Sequence, residues 1–178
     1  MLTDEQKRYV LDLARGAVVE QVTGERAVTT AMCELPDASG VFVTLKSRGT
    51  LRGCLGTLEC RDGLAPDVAR CAADAASADP RFEAVTSVEL PEISIEVSVL
   101  GPLEEIDPFD LSAVVIGRHG LVVERGRRRG LLLPQVAVEW DWTREQFLRQ
   151  TCLKAGLDAA AWQQGARVYR FEAEVFGH

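Results

Sequence analysis

Residues 93–99 alternate strictly between apolar and polar side chains. Isoleucine or valine stands at every odd position, and serine or glutamate stands at every even position. Successive side chains of a strand point to opposite faces of its sheet. This period of two therefore predicts a strand that buries one face and leaves the other face in a polar environment.

Shorter runs of β-branched and aliphatic residues predict further strands. Turn signals, glycine above all, separate several of these runs, which favours hairpins. Predicted strands outnumber predicted helices, so the expected class is α+β with a mostly antiparallel sheet and flanking helices. The additional strands are expected at residues 41–45, 50–58, 114–116, 121–123, 131–133 and 168–176.

Several segments carry helical signals. Thr3 followed by Gln6 is a capping-box pattern, and apolar residues then recur on one helical face. Asp79 and Pro80 end the second helix, because the residue before a proline is pushed out of helical geometry. The predicted helices cover residues 3–24, 64–78, 143–154 and 158–164.

Length and charge limit the classes of function. A chain of 178 residues can bury one core, and we treat residues 1–178 as a single domain. The formal charge of −7 disfavours nucleic acid as a partner, because such proteins neutralise phosphates with Lys and Arg. The N-terminus is acidic and no apolar run approaches the roughly 20 residues of a membrane helix, so we expect a cytoplasmic protein.

One local exception to the acidic character is a group of arginines around Gly126. Four of them fall within five positions, at Arg125, Arg127, Arg128 and Arg129. The cluster is typical of a solvated hairpin tip, and the alternative is a contact with an anion or a partner.

The cysteines indicate the redox state. They are odd in number, widely spaced and without a Cys-x-x-Cys pair, so neither a disulfide framework nor a structural zinc site fits. We expect reduced thiols, and we expect neither a bound metal nor a cofactor. The five residues are Cys33, Cys54, Cys60, Cys71 and Cys152.

One of these thiols lies in the segment Leu-Arg-Gly-Cys-Leu-Gly at residues 51–56. Gly53 and Gly56 interrupt a predicted strand, which indicates a bulge or the close approach of a ligand or another backbone. Arg52 shares a face with Cys54 if no bulge intervenes, and there it would favour the reactive thiolate. Cys54 can be a catalytic nucleophile, line a ligand site, or simply pack, since cysteine is among the most buried residue types.

Other candidate site residues lie outside this segment. His119 is the only internal histidine, so it would be the catalytic base or orienting group for Cys54. The alternative is a turn histidine bonded to a carbonyl. Asp79 and Arg81 flank a proline turn and are candidate ligand-binding residues, and the alternative is a turn aspartate with Arg81 as its ion-pair partner.

The segment at residues 51–56 resembles the Leu-Arg-Gly-Cys-Ile-Gly signature of the AMMECR1 domain family, of the type found as protein A of prokaryotic AmmeMemoRadiSam systems. Two departures are Glu83-Ala84 and Ala137, which stand where the family commonly has proline. Further similar patterns, in the same order, occur at residues 79–82, 116–121, 130–136 and 152–157.

The resemblance implies an α+β fold in two lobes, with the signature near the cleft between them. It implies no settled activity. The resemblance also implies two partner proteins. One is a Memo-type protein, itself similar to dioxygenases, and the other is a radical S-adenosylmethionine protein. The chain is therefore expected to be one component of a modification system.

Two hypotheses of function follow. In the first, a cleft binds a small anionic or nucleotide-like group through Arg52 and the backbone amides from Gly53 to Gly56, with Cys54 reacting and His119 assisting. In the second, the chain is a non-enzymatic adaptor that docks a Memo-like or radical S-adenosylmethionine protein.

Overall fold

A computed structural model describes residues 2–26 and 33–177 of the protein. The chain divides into two compact units. The first unit contains the residues up to Leu100 and those from Glu174 onward, and the second contains Gly101–Ala173. Helices and antiparallel strands make up both units, so the predicted α+β class with a mostly antiparallel sheet is confirmed.

The first unit is an antiparallel sheet covered by helices. β1 lies between β2 and β3 and pairs antiparallel with both. The apolar face of residues 93–99 is buried, as the alternation predicts, and α1 and α2 pack on the same core. In chain order the elements are α1 (Asp4–Thr23), β1 (Gly40–Ser47), β2 (Thr50–Thr57), α2 (Leu64–Ser77) and β3 (Ile93–Leu100).

The ends of α1 and α2 follow the signals in the sequence. Thr3 and Gln6 exchange both hydrogen bonds of a capping box. α1 ends at Gly24, whose φ of 74° is a conformation that glycine adopts without steric cost. α2 ends shortly before Asp79 and Pro80. The predicted positions of both helices are confirmed.

The second unit also combines a sheet with helices. β5 lies between β6 and β7, while β4 pairs with the other edge of β7. α4 packs on β5 and β6, and the last residues of β7 belong to the first unit. The elements are β4 (Glu104–Ile106), β5 (His119–Arg125), β6 (Arg128–Leu132), α3 (Pro134–Glu139), α4 (Arg144–Lys154) and β7 (Arg167–Gly177).

The predicted strand at residues 114–116 is wrong. The carbonyl oxygen of Val115 accepts hydrogen bonds from the backbone N–H groups of Arg118 and His119, which makes this segment a turn. Val114 is nevertheless fully buried. The β-branched run therefore reflects packing into the core of the second unit and not strand pairing.

One short helix and one short strand are absent from the sequence prediction. Pro134 begins α3, a helix without a side-chain cap at its N-terminus. β4 is too short to leave a periodic signal. The helix expected at residues 158–164 is a 3-10 helix at Ala161–Gln164. None of the described helices is long and apolar enough to cross a membrane.

Candidate functional site

The hairpin of β1 and β2 contains a bulge at Arg52. Lys46 lies opposite Leu51, but the next residue of β1, Leu45, lies opposite Gly53. Arg52 is therefore an extra residue in β2, without a partner across the hairpin. A bulge was one of the two features that the interrupting glycines predicted.

The bulge decides which face of the sheet carries Cys54. If the pairing near the turn continued without it, Cys54 would lie opposite Val43, whose side chain is fully buried in the core. A shift of one residue moves a side chain to the other face. Cys54 instead lies opposite Thr44, whose hydroxyl donates a hydrogen bond to Sγ over 3.2 Å. The thiol is half-buried on the polar face of the sheet.

The side chain of Arg52 is held by contacts within the chain. Nε and Nη2 donate to the two carboxylate oxygens of Glu89 over 2.7 and 3.2 Å. Nη1 donates to the carbonyl of Glu83 over 2.7 Å, and Nη2 donates to that of Ala84 over 3.3 Å. The side chain is only 17% exposed. Arg52 therefore fixes the loop of residues 83–89 against β2.

Glu89 is charged in this arrangement. The guanidinium of Arg52, with the backbone N–H and hydroxyl of Thr86, lowers the pKa of Glu89 to about 2. An opposite charge and hydrogen bonds to the carboxylate both favour its ionised form. The ion pair is consequently complete at neutral pH.

Both glycines of the segment lie close to other parts of the chain. A β-carbon at Gly53 would lie 2.1 Å from the carbonyl oxygen of Ala75 in α2. A β-carbon at Gly56 would lie 2.3 Å from the ring of Phe42. The predicted close approach is therefore present, and the approaching atoms belong to the protein itself.

Asp79 joins the end of α2 to the Cys54 backbone. Its Oδ2 accepts the backbone N–H of Cys54 over 2.9 Å and an N–H of the Arg81 guanidinium over 2.7 Å. Its Oδ1 accepts Nε and the backbone N–H of Arg81. The side chain is 2% exposed, and the Arg81 guanidinium, with these backbone donors, holds the pKa of Asp79 well below its usual range despite burial. The ion pair considered from the sequence is present.

Arg81 is the cation that reaches both the Cys54 segment and solvent. Nη2 donates to the Cys54 carbonyl oxygen over 3.4 Å, and the hydrogen bonds to the Asp79 carboxylate raise the pKa of Arg81. The guanidinium also lies over the ring of Phe82, 5.4 Å from its centroid. Its side chain is 55% exposed. A guanidinium with this exposure is accessible to an anion that binds at the surface.

Burial disfavours the thiolate form of three other cysteines. It raises the pKa of Cys60 and of Cys71 to about 11, and it raises the pKa of Cys152. A thiol with a raised pKa holds little of the nucleophilic thiolate at neutral pH. Cys33 is half-buried like Cys54, and it is the appropriate thiol for comparison.

His119 lies in the second unit, whereas Cys54 lies in the first. Nδ1 accepts the backbone N–H of Val115 over 2.9 Å, so the neutral ring carries its proton on Nε2. Nε2 is 3.8 Å from Oε1 of Glu172, at a small cavity of about 80 Å³. His119 is thus the first residue of β5, and its Nδ1 accepts from the backbone instead of donating to a carbonyl as in a turn.

Metal ligands do not gather in the described part of the chain. Within residues 2–26 and 33–177, no group of three or more His, Cys, Asp or Glu side chains is placed to hold a metal ion.

Comparison with known proteins identifies the family. A family model described as AMMECR1 matches residues 11–176. The chain belongs to the AMMECR1 family. An AMMECR1-family relative from Methanothermobacter thermautotrophicus is 43% identical over 98% of this chain and 95% of its own length. Protein TK0174 of Thermococcus kodakarensis is 42% identical over 98% of this chain and 91% of its own length.

A solved structure supports the fold of this AMMECR1-family chain. The crystal structure of uncharacterized protein PH0010 from Pyrococcus horikoshii matches with a TM-score of 0.86 and 38% sequence identity. The match covers 99% of this chain and 93% of that chain.

Two residues next to the candidate site were missed by reasoning from the sequence. Regular pairing counted from the hairpin turn would place Val43 opposite Cys54. Thr44 takes this position only because of the bulge at Arg52. Glu89 lies 37 positions after Arg52, and the sequence contains no signal that joins the two.

Proposed function

We propose that this AMMECR1-family protein binds a small anionic group beside the Cys54 thiol and is one component of a modification system. The bulge at Arg52 carries the proposal, since it places Cys54 on the polar face of the sheet opposite Thr44 instead of in the core. Bulges are frequent next to active sites, where they redirect a side chain.

The proposal assigns the cationic role to Arg81. Asp79 fixes the Arg81 guanidinium while the side chain stays half exposed, next to the Cys54 backbone. Arg52 has a different part, because its contacts form the bulge and hold the 83–89 loop. The backbone N–H of Cys54 is already bound by the Asp79 carboxylate. His119 has no step in the proposed site, and its contacts are with Val115 and Glu172.

Alkylation by an anionic and a neutral reagent tests this proposal. Iodoacetate carries the negative charge that Arg81 would attract, and iodoacetamide is its neutral counterpart. We expect the ratio of the iodoacetate rate to the iodoacetamide rate to be about fivefold higher at Cys54 than at Cys33 in the same protein. This factor corresponds to the attraction between one pair of unit charges in a water-like dielectric. Mass spectrometry of peptides after limited reaction gives both rates.

Variants of Arg81 make the test specific. Arg81→Gln should remove the preference for iodoacetate, and Arg81→Lys should keep it. Arg48→Gln removes an exposed arginine from the same hairpin and should change nothing at Cys54. An unmodified Cys54 in folded protein that is labelled at Cys33 would refute the thiol site. A preference that survives Arg81→Gln would exclude Arg81.

One observation favours the second function, a non-enzymatic adaptor. The loop that Arg52 fixes through Glu83, Ala84 and Glu89 presents Val88, which is 86% exposed. A side chain that is already held in place loses little conformational freedom when a partner covers it, which suits docking. The partner proposed from the family is a Memo-type or radical S-adenosylmethionine protein, in the cytoplasm, where the five thiols would stay reduced.

Capture of a Memo-type protein by the immobilised chain distinguishes the two functions. If the chain is an adaptor, Val88→Asp should weaken capture while Cys54→Ser leaves it unchanged. Val138→Asp, at a 57% exposed valine of the second unit, is the matched control. Equal capture by wild type and Val88→Asp would exclude this loop as the docking surface.

A further inference from the structure

Three arginines at the end of the β5–β6 hairpin surround an open depression. The hairpin turn consists of Gly126 and Arg127, and the φ of Gly126 is 62°. Glycine with positive φ at the first turn position is typical of a type II′ hairpin turn. Arg125 and Arg128 lie directly opposite each other across the strands. Like charges in this position destabilise a hairpin, so stability does not explain the choice of residues.

These arginines differ from three others of the second unit. Arg118, Arg167 and Arg170 each pair with a glutamate. By contrast, the side chains of Arg125 and Arg127 form no ion pair or hydrogen bond with any residue in the described ranges 2–26 and 33–177. The side chain of Arg128 donates to the carbonyl oxygen of Gly156, just beyond α4. The two unpaired guanidiniums can therefore bind a partner without first breaking an ion pair.

The depression has an apolar part as well as a charged one. Its volume is about 470 Å³, and Leu157 and Asp158 line it together with Arg125, Arg127 and Arg128. Leu157 packs on the core of the second unit and is fixed by a backbone hydrogen bond to Cys152. A site with guanidiniums around a leucine fits carboxylates and an aliphatic side chain at the same time.

We infer that this depression, the arginine tip, docks an acidic peptide segment of a partner protein that also carries aliphatic side chains. Glutamate or aspartate would pair with Arg125 and Arg127, and an aliphatic side chain would cover Leu157. The net charge of −7 opposes a long polyanion that extends beyond the tip, whereas a short acidic segment meets three arginines against the single carboxylate of Asp158. A peptide is therefore favoured over nucleic acid.

Fluorescence anisotropy tests the arginine tip with the full chain and a short labelled peptide of alternating glutamate and leucine. We expect binding that weakens as NaCl rises from about 50 to about 300 mM. Arg125→Ala/Arg127→Ala should raise the dissociation constant by about tenfold, since each exposed charge pair contributes modestly. The double variant Arg144→Ala/Arg149→Ala removes the same charge from exposed positions of α4 and should change binding less than twofold.

Two control peptides and one oligonucleotide complete the test. A glutamine–leucine peptide should not bind, and a glutamate–glycine peptide should bind more weakly than the glutamate–leucine peptide. Equal binding of the last two would overturn the role of Leu157. The inference also fails if both double variants lose binding equally, if the wild type does not bind, or if labelled oligothymidylate binds the tip more tightly than the acidic peptide. Unchanged thermal unfolding of the tip variant shows that it remains folded.

Discussion

His119 is held in one tautomer among charged groups. Its Nδ1 accepts the Val115 N–H, so protonation at Nδ1 would remove this hydrogen bond. Burial lowers the pKa of His119 from 6.5, Arg170 and Arg118 lower it further, and Glu172 and Glu104 oppose them. The ring is therefore neutral at pH 7.

We predict that His119 titrates below pH 6.5 in the folded protein. NMR of the ring protons in a His178→Gln variant, which leaves one histidine, measures this value. Because the pKa is lower in the folded than in the unfolded state, the unfolded state binds the proton more readily. The stability that neutral His119 contributes is complete above pH 6.5 and declines as the pH falls below that value. A measured pKa above 6.5 would contradict the burial described here.

The sequence predicts some residues of the candidate site better than others. The Asp79–Arg81 pair was foreseen because two residues around a proline turn are forced to be neighbours. The Arg52–Glu89 pair was not, since it depends on the path of the loop between α2 and β3. Local contacts can be read from spacing, whereas contacts between distant segments require the fold.

At the scale of elements, the packing of β2 on α2 depends on Gly53. The space for a β-carbon is occupied by the Ala75 carbonyl oxygen, a backbone atom that cannot rotate away. We predict that Gly53→Ala lowers the free energy of unfolding by about 3 kcal/mol, because the added β-carbon overpacks this contact and pushes α2 away from β2. Urea unfolding followed by circular dichroism measures this change.

Gly101→Ala is the matched control for Gly53→Ala. A β-carbon there would meet only the Glu172 carbonyl oxygen, at 3.3 Å, and the backbone has no positive φ. We expect a change of less than about 1 kcal/mol. Equal stabilities of the two variants would show that β2 and α2 are not as close as described.

Elements with a periodic pattern or a helix cap were predicted well. α1 and α4 each begin with a capping box, and β3 has strict alternation. The errors fall where a short apolar run lacks either signal, at residues 114–116 and in α3. A run of three β-branched residues is compatible with a strand or with a buried turn, and only the tertiary hydrogen bonds of Val115 decide between them.

At the scale of the whole molecule, the end of the chain completes the first unit. The Glu174 carboxylate accepts the backbone N–H of Leu2 over 2.8 Å and pairs with Lys7 over 2.8 Å. Phe176 packs against the core of the first unit, and a β-carbon at Gly177 would lie 2.6 Å from the carbonyl oxygen of Ile95. These contacts join both ends of the chain to one sheet.

We predict that a chain ending at Ala173 loses stability selectively in its first unit. Amide hydrogen exchange should become faster in β1 and β3, because the truncation removes the contacts of Glu174, Phe176 and Gly177. Protection in β5 should be retained, since the core of the second unit lies within residues 114–168. Glu174→Gln keeps the strand and weakens only the polar contacts of this side chain, so it should lower the free energy of unfolding by about 1 kcal/mol. Equal loss of protection in both units would instead show that the two cores unfold together.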